Sequence, residues 1–132
     1  MAAGVTRILV VDDSADTRQS MKLLLERAGY LVELAENGVR ALERQRQQAA
    51  QVLVTDIFMP EADGLETIEA FRREFPAVKI VAMSGGGLRV GHERYLETAG
   101  VAGAHAMLRK PFDIKVLLQA LGQLLEAPAR SA

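Results

Sequence analysis

The sequence predicts an α/β fold with a doubly wound, five-stranded parallel sheet and helices on both faces. Short apolar runs rich in β-branched residues alternate with amphipathic helical patterns along the whole chain. The strand candidates are apolar on both faces, which is typical of parallel strands covered by helices on both sides. The 132 residues, 49% of them hydrophobic, suffice for one domain with its own core.

Five segments are predicted as strands. The three strongest predictions are residues 8–11, 52–54 and 79–83, because these runs are apolar and rich in β-branched residues. Residues 31–35 and 104–108 carry a weaker strand pattern. Strands that alternate with helices predict a parallel sheet, in which ligands bind beyond the carboxyl ends of the strands.

Helical patterns fall between the strands. Gly29 is placed to end the first helix in a left-handed conformation, and Pro76 to stop the third. Asn37-Gly38 opens a helix predicted over residues 38–48, and Tyr95 is expected on a fourth helix. Apolar residues recur at helical spacing in three stripes: Met21, Leu24, Leu25 and Ala28; Leu65, Ile68, Phe71 and Phe75; and Ile114, Leu117, Leu118, Leu121 and Leu125.

The composition excludes several classes of site. A formal net charge of −1 gives no electrostatic reason to expect nucleic-acid binding. The sequence has no cysteine and only two histidines, His92 and His105, which disfavours thiolate chemistry and zinc sites. No apolar run reaches the ~18 residues of a membrane span, and no signal peptide is recognisable. We therefore expect a cytoplasmic domain over residues 6–126, with residues 127–132 as a disordered tail.

Polar residues stand where the predicted strands end. Asp12 and Asp13 follow the first strand, Asp56 follows the third, Ser84 the fourth and Lys110 the fifth. In a parallel sheet these five side chains would converge on one edge. Taken alone, each also has a structural explanation as a turn, cap or loop residue.

Three converging carboxylates require a cation. Two unit charges about 4 Å apart repel by about 4 kcal/mol at an effective dielectric constant of about 20. Mg²⁺ suits a cluster that offers only oxygen ligands. With Lys110 as a second cation and Ser84 as a hydroxyl donor, the cluster has the parts needed for phosphoryl transfer to a carboxylate.

These residues resemble the receiver domains of two-component response regulators. The resemblance rests on Ile8-Leu-Val-Val-Asp-Asp-Ser14, Asp56-Ile-Phe-Met-Pro-Glu-Ala-Asp-Gly64, Ser84 and Lys110-Pro-Phe112, in this order. It covers roughly residues 6–126 and implies the flavodoxin-like strand order 2-1-3-4-5. It also implies a switch, similar to the stand-alone chemotaxis regulators, that only catalyses its own phosphorylation and dephosphorylation.

The resemblance implies a role for each residue of the acceptor and metal site. Asp56 corresponds to the phosphoryl acceptor. Asp13, Asp56 and the backbone carbonyl of Phe58 would bind Mg²⁺ directly, and Asp12 would act mainly through water. The donor would be a histidine kinase or a histidine phosphotransfer protein.

The resemblance also implies how the switch works. Lys110 would bind the phosphoryl group, its bond to Pro111 would be cis, and Ser84 would move towards the phosphoryl oxygens. The readout for a downstream protein would lie on the fourth helix, the fifth strand and the fifth helix, in a monomer or a weak dimer.

The sequence departs from the family pattern at three points. Met107 occupies the position where the family often has an aromatic switch residue. Gly85-Gly86-Gly87 follows Ser84, which predicts a mobile entry to the fourth helix. Only six residues follow Glu126, so a stand-alone receiver or a part of a longer protein is expected.

Two other functions stay open at this point. A phosphatase of the haloacid-dehalogenase type also uses an aspartate nucleophile, a lysine and Mg²⁺. Its nucleophile lies in an Asp-x-Asp pair, however, whereas Asp13 and Asp16 have a different spacing. A degenerate receiver that only binds proteins is the second alternative, although all five site positions are filled. A phosphate loop is rejected because His92 stands where that motif requires lysine.

Overall fold

The computed structural model describes residues 5–57, 64–84, 103–110 and 112–131. Strands and helices alternate along the chain. The five strands are β1 (Arg7–Val11), β2 (Leu31–Ala35), β3 (Val52–Asp56), β4 (Lys79–Ser84) and β5 (Ala106–Arg109). The four helices of the described residues are α1 (Ala15–Arg27), α2 (Gly38–Gln47), α3 (Gly64–Glu74) and α4 (Ile114–Ser131).

The strands form one parallel sheet in the order β2-β1-β3-β4-β5. Every neighbouring pair is parallel, so all five carboxyl ends point the same way. The predicted fold class and strand order are thereby confirmed. The order reverses between β1 and β3, and this is where the predicted carboxylates lie.

Two hydrophobic layers cover the sheet. Successive strand residues point to opposite faces, so Leu9 and Leu53 face one layer while Ile8 and Val54 face the other. The first layer includes Ile68 and Phe71 of α3, and the second includes Leu25 of α1 and Leu117 and Leu121 of α4. The central strands are thus buried on both faces, as the apolar runs predicted.

The helix ends follow the sequence signals. The Ser14 hydroxyl accepts a hydrogen bond from the Thr17 N–H at 3.3 Å, and the Asn37 side chain accepts one from the Arg40 N–H at 2.9 Å. Both side chains cap a helix whose first N–H groups have no partner within the helix. Gly29 follows α1 with a φ of 103°, which confirms its predicted left-handed conformation.

Several boundaries differ from the predicted ones. β5 begins at Ala106 rather than at residue 104. α4 extends from Ile114 to Ser131. Tyr95 of the predicted fourth helix, the three glycines predicted to lead into that helix, and His92 lie outside the described residues.

His105 joins the start of β5 to β4. Its backbone N–H donates to the Ile80 carbonyl at 2.7 Å, and its ring Nδ1 accepts the Ile80 N–H at 3.0 Å. Burial lowers the pKa of the imidazole, and the charges of Lys79 and Arg72 lower it further. The neutral ring, the form that can accept this hydrogen bond at Nδ1, is therefore favoured.

In the part of the chain that the structure describes, no helix combines the length and the apolar character needed to cross a membrane.

Candidate functional site

Three carboxylates meet at the carboxyl ends of β1 and β3. Asp12 directly follows β1 and Asp56 is the last residue of β3, and these two strands are paired neighbours. Asp12 and Asp56 are 1% and 6% exposed, whereas Asp13 is exposed to solvent. One carboxylate oxygen from each of the three residues lies within 4.8 Å of the other two.

Asp12 is held at four points. Its backbone N–H donates to the Ala35 carbonyl at 3.2 Å, and its own carbonyl accepts from Arg18 Nη1 at 2.7 Å. Carboxylate Oδ1 accepts the Ser14 N–H at 2.9 Å, and Oδ2 accepts Lys110 Nζ at 3.0 Å. A buried charge needs such partners, since an uncompensated one would be costly. These bonds tie the residue after β1 to β2, α1 and Lys110.

Lys110 connects the two buried carboxylates. Its Nζ lies 3.0 Å from Asp12 Oδ2 and 3.4 Å from Asp56 Oδ2. Burial alone would lower the pKa of the Lys110 ammonium, but the hydrogen bonds and charges of Asp12 and Asp56 outweigh it and raise that pKa. Lys110 therefore stays charged at neutral pH and presents a fixed cation beside Asp56.

Ser84 lies next to this lysine on the sheet. It is the last residue of β4 and is fully buried. Its carbonyl accepts the Lys110 backbone N–H at 2.7 Å, so the two residues are joined through the main chain. Met107, three residues before Lys110, is 42% exposed on the edge strand.

Gly64 lets α3 pack closely against the end of β3. It begins α3, and a Cβ at this position would overlap with the Ile57 Cα and the Asp56 carbonyl oxygen. Ile57 is itself tied to β4 by its N–H, which donates to the Met83 carbonyl at 2.9 Å. Only glycine lets the helix approach the end of β3 so closely.

The structure brings together Asp12, Asp13, Asp56 and Lys110, and places Ser84 on the adjoining strand end. Phe58 and Pro111, predicted as a metal ligand and a cis-proline, lie outside the described residues. No role was predicted for Arg18, and Gly64 was singled out only as the last residue of the motif that begins at Asp56.

The donor set fits a hard divalent cation. All three clustered side chains offer carboxylate oxygens, and one ammonium group cannot balance three carboxylates. Two buried carboxylates and one exposed carboxylate suit Mg²⁺, which usually keeps several water ligands. The exposed Asp13 leaves one side of the cluster accessible to such an ion.

Comparisons with known proteins agree with this architecture. The family model described as "Response regulator receiver domain" matches residues 8–122. The response regulator MprA of Mycobacterium ulcerans is 39% identical over 123 residues, which cover 90% of this chain and 50% of the relative. The chain thus spans about half the length of the curated relatives it matches.

Solved structures show the same fold. The chemotaxis protein CheY4 of Vibrio cholerae is 30% identical with a TM-score of 0.80, covering 91% of this chain and 98% of that one. A response regulator receiver domain from Clostridium thermocellum is 25% identical with a TM-score of 0.87, covering 97% and 100% of the two chains. This chain belongs to the response regulator receiver domain family of two-component signalling.

Proposed function

We propose that this receiver domain is a phosphorylation-dependent switch whose acceptor is Asp56. The observation that supports the proposal most strongly is Lys110 Nζ, which lies 3.0 Å from Asp12 and 3.4 Å from Asp56. A carboxylate nucleophile beside a fixed cation and two further carboxylates is the arrangement that phosphoryl transfer requires.

In the proposed reaction, a carboxylate oxygen of Asp56 attacks phosphorus. An O–P bond forms, and the N–P bond to a histidine of the donor protein breaks. The leaving imidazole keeps the electron pair of that bond and takes up a proton. Lys110 would neutralise charge on the transferred group, because its ammonium already lies beside the Asp56 oxygens. The product is an aspartyl phosphate, so the chain modifies itself and turns over no other substrate.

Mg²⁺ is the proposed cofactor. Asp13 and Asp56 would bind it directly together with the Phe58 carbonyl, and Asp12 would act mainly through water. When bound, the ion would neutralise charge on the transferred phosphoryl oxygens. Asp12 and Lys110 would meanwhile hold the Asp56 carboxylate in place from the protein side.

The conformational response is proposed to begin at Ser84 and Lys110. The Ser84 carbonyl accepts the Lys110 N–H, so a displacement of one strand end displaces the other. A phosphoryl group that binds the Ser84 hydroxyl and Lys110 better in a second arrangement would shift the population towards it. A downstream protein would recognise that second arrangement.

The proposed donor is a histidine kinase or a histidine phosphotransfer protein, and the proposed location is the cytoplasm, where such donors present their phosphohistidine. A monomer or a weak dimer is proposed, with no binding to nucleic acid or membrane by the domain itself. The formal net charge of −1 supports the absence of nucleic-acid binding, which favours strongly basic surfaces.

The proposal is tested by labelling with a small phosphodonor in the presence of Mg²⁺. Mass spectrometry should show one added phosphoryl group that hydroxylamine removes, and a chelator should abolish the labelling. Asp56→Asn should not be labelled, whereas the control Asp16→Asn, which alters an exposed carboxylate in the first turn of α1, should be labelled like wild type. Equal labelling of Asp56→Asn and wild type would refute the acceptor assignment, and an unlabelled wild type would point to a degenerate receiver.

A further inference from the structure

Arg18 contacts the site without belonging to the predicted set of site residues. It lies in α1, and its Nη1 reaches back to the Asp12 carbonyl oxygen at 2.7 Å. Its backbone N–H donates to the Ser14 carbonyl at 3.0 Å, as in the first turn of any α-helix, so the bond to Asp12 is the contribution specific to the arginine side chain. A guanidinium donor makes the first bond charge-assisted and therefore stronger than a neutral one.

The bond from Arg18 fixes a particular peptide group. The Asp12 carbonyl and the Asp13 N–H belong to the same planar unit, so holding the carbonyl sets the direction in which the chain leaves β1. Within the described residues, no hydrogen bond or ion pair holds the Asp13 carboxylate itself. The position of that carboxylate therefore depends on the backbone that Arg18 holds.

The Glu36 carboxylate interacts electrostatically with Arg18. The pKa of Glu36 lies below its usual value because of its own backbone hydrogen bond and the charges of Arg40 and Arg18. Glu36 directly follows β2, whose last residue, Ala35, accepts the Asp12 N–H.

We propose that Arg18 is a positioning residue for divalent-cation binding: by holding the peptide between Asp12 and Asp13, it presents the Asp13 carboxylate to the ion. This inference rests on the proposed function, since it assigns the carboxylate cluster to a cation. Arg18 acts through the backbone of Asp12 and touches neither the ion nor the phosphoryl group.

The test compares Arg18→Met, Arg18→Lys and the control Arg27→Met, which removes an exposed guanidinium from the last turn of the same helix. Mg²⁺ is titrated into each ¹⁵N-labelled protein and the amide shifts of the β1–α1 loop are followed. Arg18→Met should bind Mg²⁺ about tenfold more weakly, as is typical for loss of a group that orients a metal ligand. Arg18→Lys should recover part of the affinity, and Arg27→Met should bind like wild type.

A metal-free readout accompanies the titration. The Ser14 N–H donates to Asp12 Oδ1, so its hydrogen exchange reports whether the loop keeps its conformation. Exchange of this amide should be faster in Arg18→Met than in Arg27→Met, while amides in β3 keep their protection. A folded Arg18→Met with wild-type Mg²⁺ affinity and wild-type exchange at Ser14 would overturn the inference.

The two proposals can fail separately. A wild-type protein that binds Mg²⁺ in an Arg18-dependent way but accepts no phosphoryl group refutes the proposed function alone. A wild-type protein labelled on Asp56, together with an Arg18→Met variant of unchanged Mg²⁺ affinity, refutes the positioning role alone.

Discussion

β3 and β5 belong to one parallel sheet and each brings a residue to the site, yet their surroundings differ sharply. β3 pairs with β1 on one side and β4 on the other, and all five of its residues are buried. β5 pairs with β4, forms the edge of the sheet and has no fully buried residue. β3 ends in Asp56, whereas β5 is followed by Lys110.

The difference in packing suggests that β3 holds Asp56 in place, whereas β5 allows Lys110 to move. Asp56, the proposed acceptor, ends β3, whose five residues are all buried and whose displacement would disturb both hydrophobic layers. The lysine stands beyond a strand with a single paired neighbour, where a shift disturbs fewer contacts. We therefore expect a conformational response to be confined to the β5 side while the acceptor stays fixed.

The largest expected effect is a loss of stability when a buried side chain of β3 is truncated, and it tests the difference in packing between β3 and β5. Leu53→Ala in β3 removes a fully buried side chain and should lower the free energy of unfolding by about 2–5 kcal/mol. Met107→Ala in β5 truncates a side chain that is 42% exposed and should cost less than about 0.5 kcal/mol. Urea denaturation of both variants measures the difference, and equal losses would contradict the distinction between the two strands.

Gly64→Ala should have the next largest effect. The new methyl group would overlap with the backbone of Asp56 and Ile57, and overpacking of this kind costs about 1–3 kcal/mol. The proposed phosphorylation of Asp56 should also slow, because the end of β3 must shift to make room. Gly122→Ala is the matched control: nothing lies within 4 Å of a Cβ there, and the exchange in a helix should stabilise the protein. A Gly64→Ala variant as stable as wild type would show that α3 can move away freely.

Lys110→Met should change how the free energy of unfolding depends on pH in alkaline solution. Asp12 and Asp56 raise the pKa of Lys110 above its usual value of 10.5, so its ionic stabilisation is fully present below pH 10.5. It is lost as the pH rises through the higher pKa of the folded state. The unfolding free energy of wild type should therefore fall more steeply above pH 10.5 than that of Lys110→Met. Parallel profiles for the two proteins would contradict this ionic interaction.

His105→Asn should have the smallest effect, which is a change in how the free energy of unfolding falls at acidic pH. The pKa of His105 is lowered from 6.5, so its contribution is present above pH 6.5 and is lost as the pH falls through the lower pKa of the folded state. Wild type should lose stability in this window, while the asparagine variant, which keeps an acceptor near the Ile80 N–H but cannot titrate, should lose less. Identical urea midpoints for both proteins from pH 7.5 to 5 would rule out this coupling.

Much of this arrangement could be predicted from the sequence because it follows from strand periodicity and the geometry of parallel sheets. Asp12, Asp56 and Lys110 each follow or end an apolar run, and parallel strands bring such ends together. The role of Arg18 could not be predicted, since it depends on how α1 is rotated relative to the end of β1. The His105–Ile80 pair joins residues 25 positions apart, a match that no local pattern specifies.

The two hydrogen bonds of Lys110 also restrict when the site can exist. They join residues 98 and 54 positions apart in the chain, so the site cannot form before residue 110 has been synthesised. Until then, Asp12 and Asp56 lack the ammonium group that joins them. On the proposed mechanism, a donor protein therefore meets a competent acceptor only after the last strand has joined the sheet.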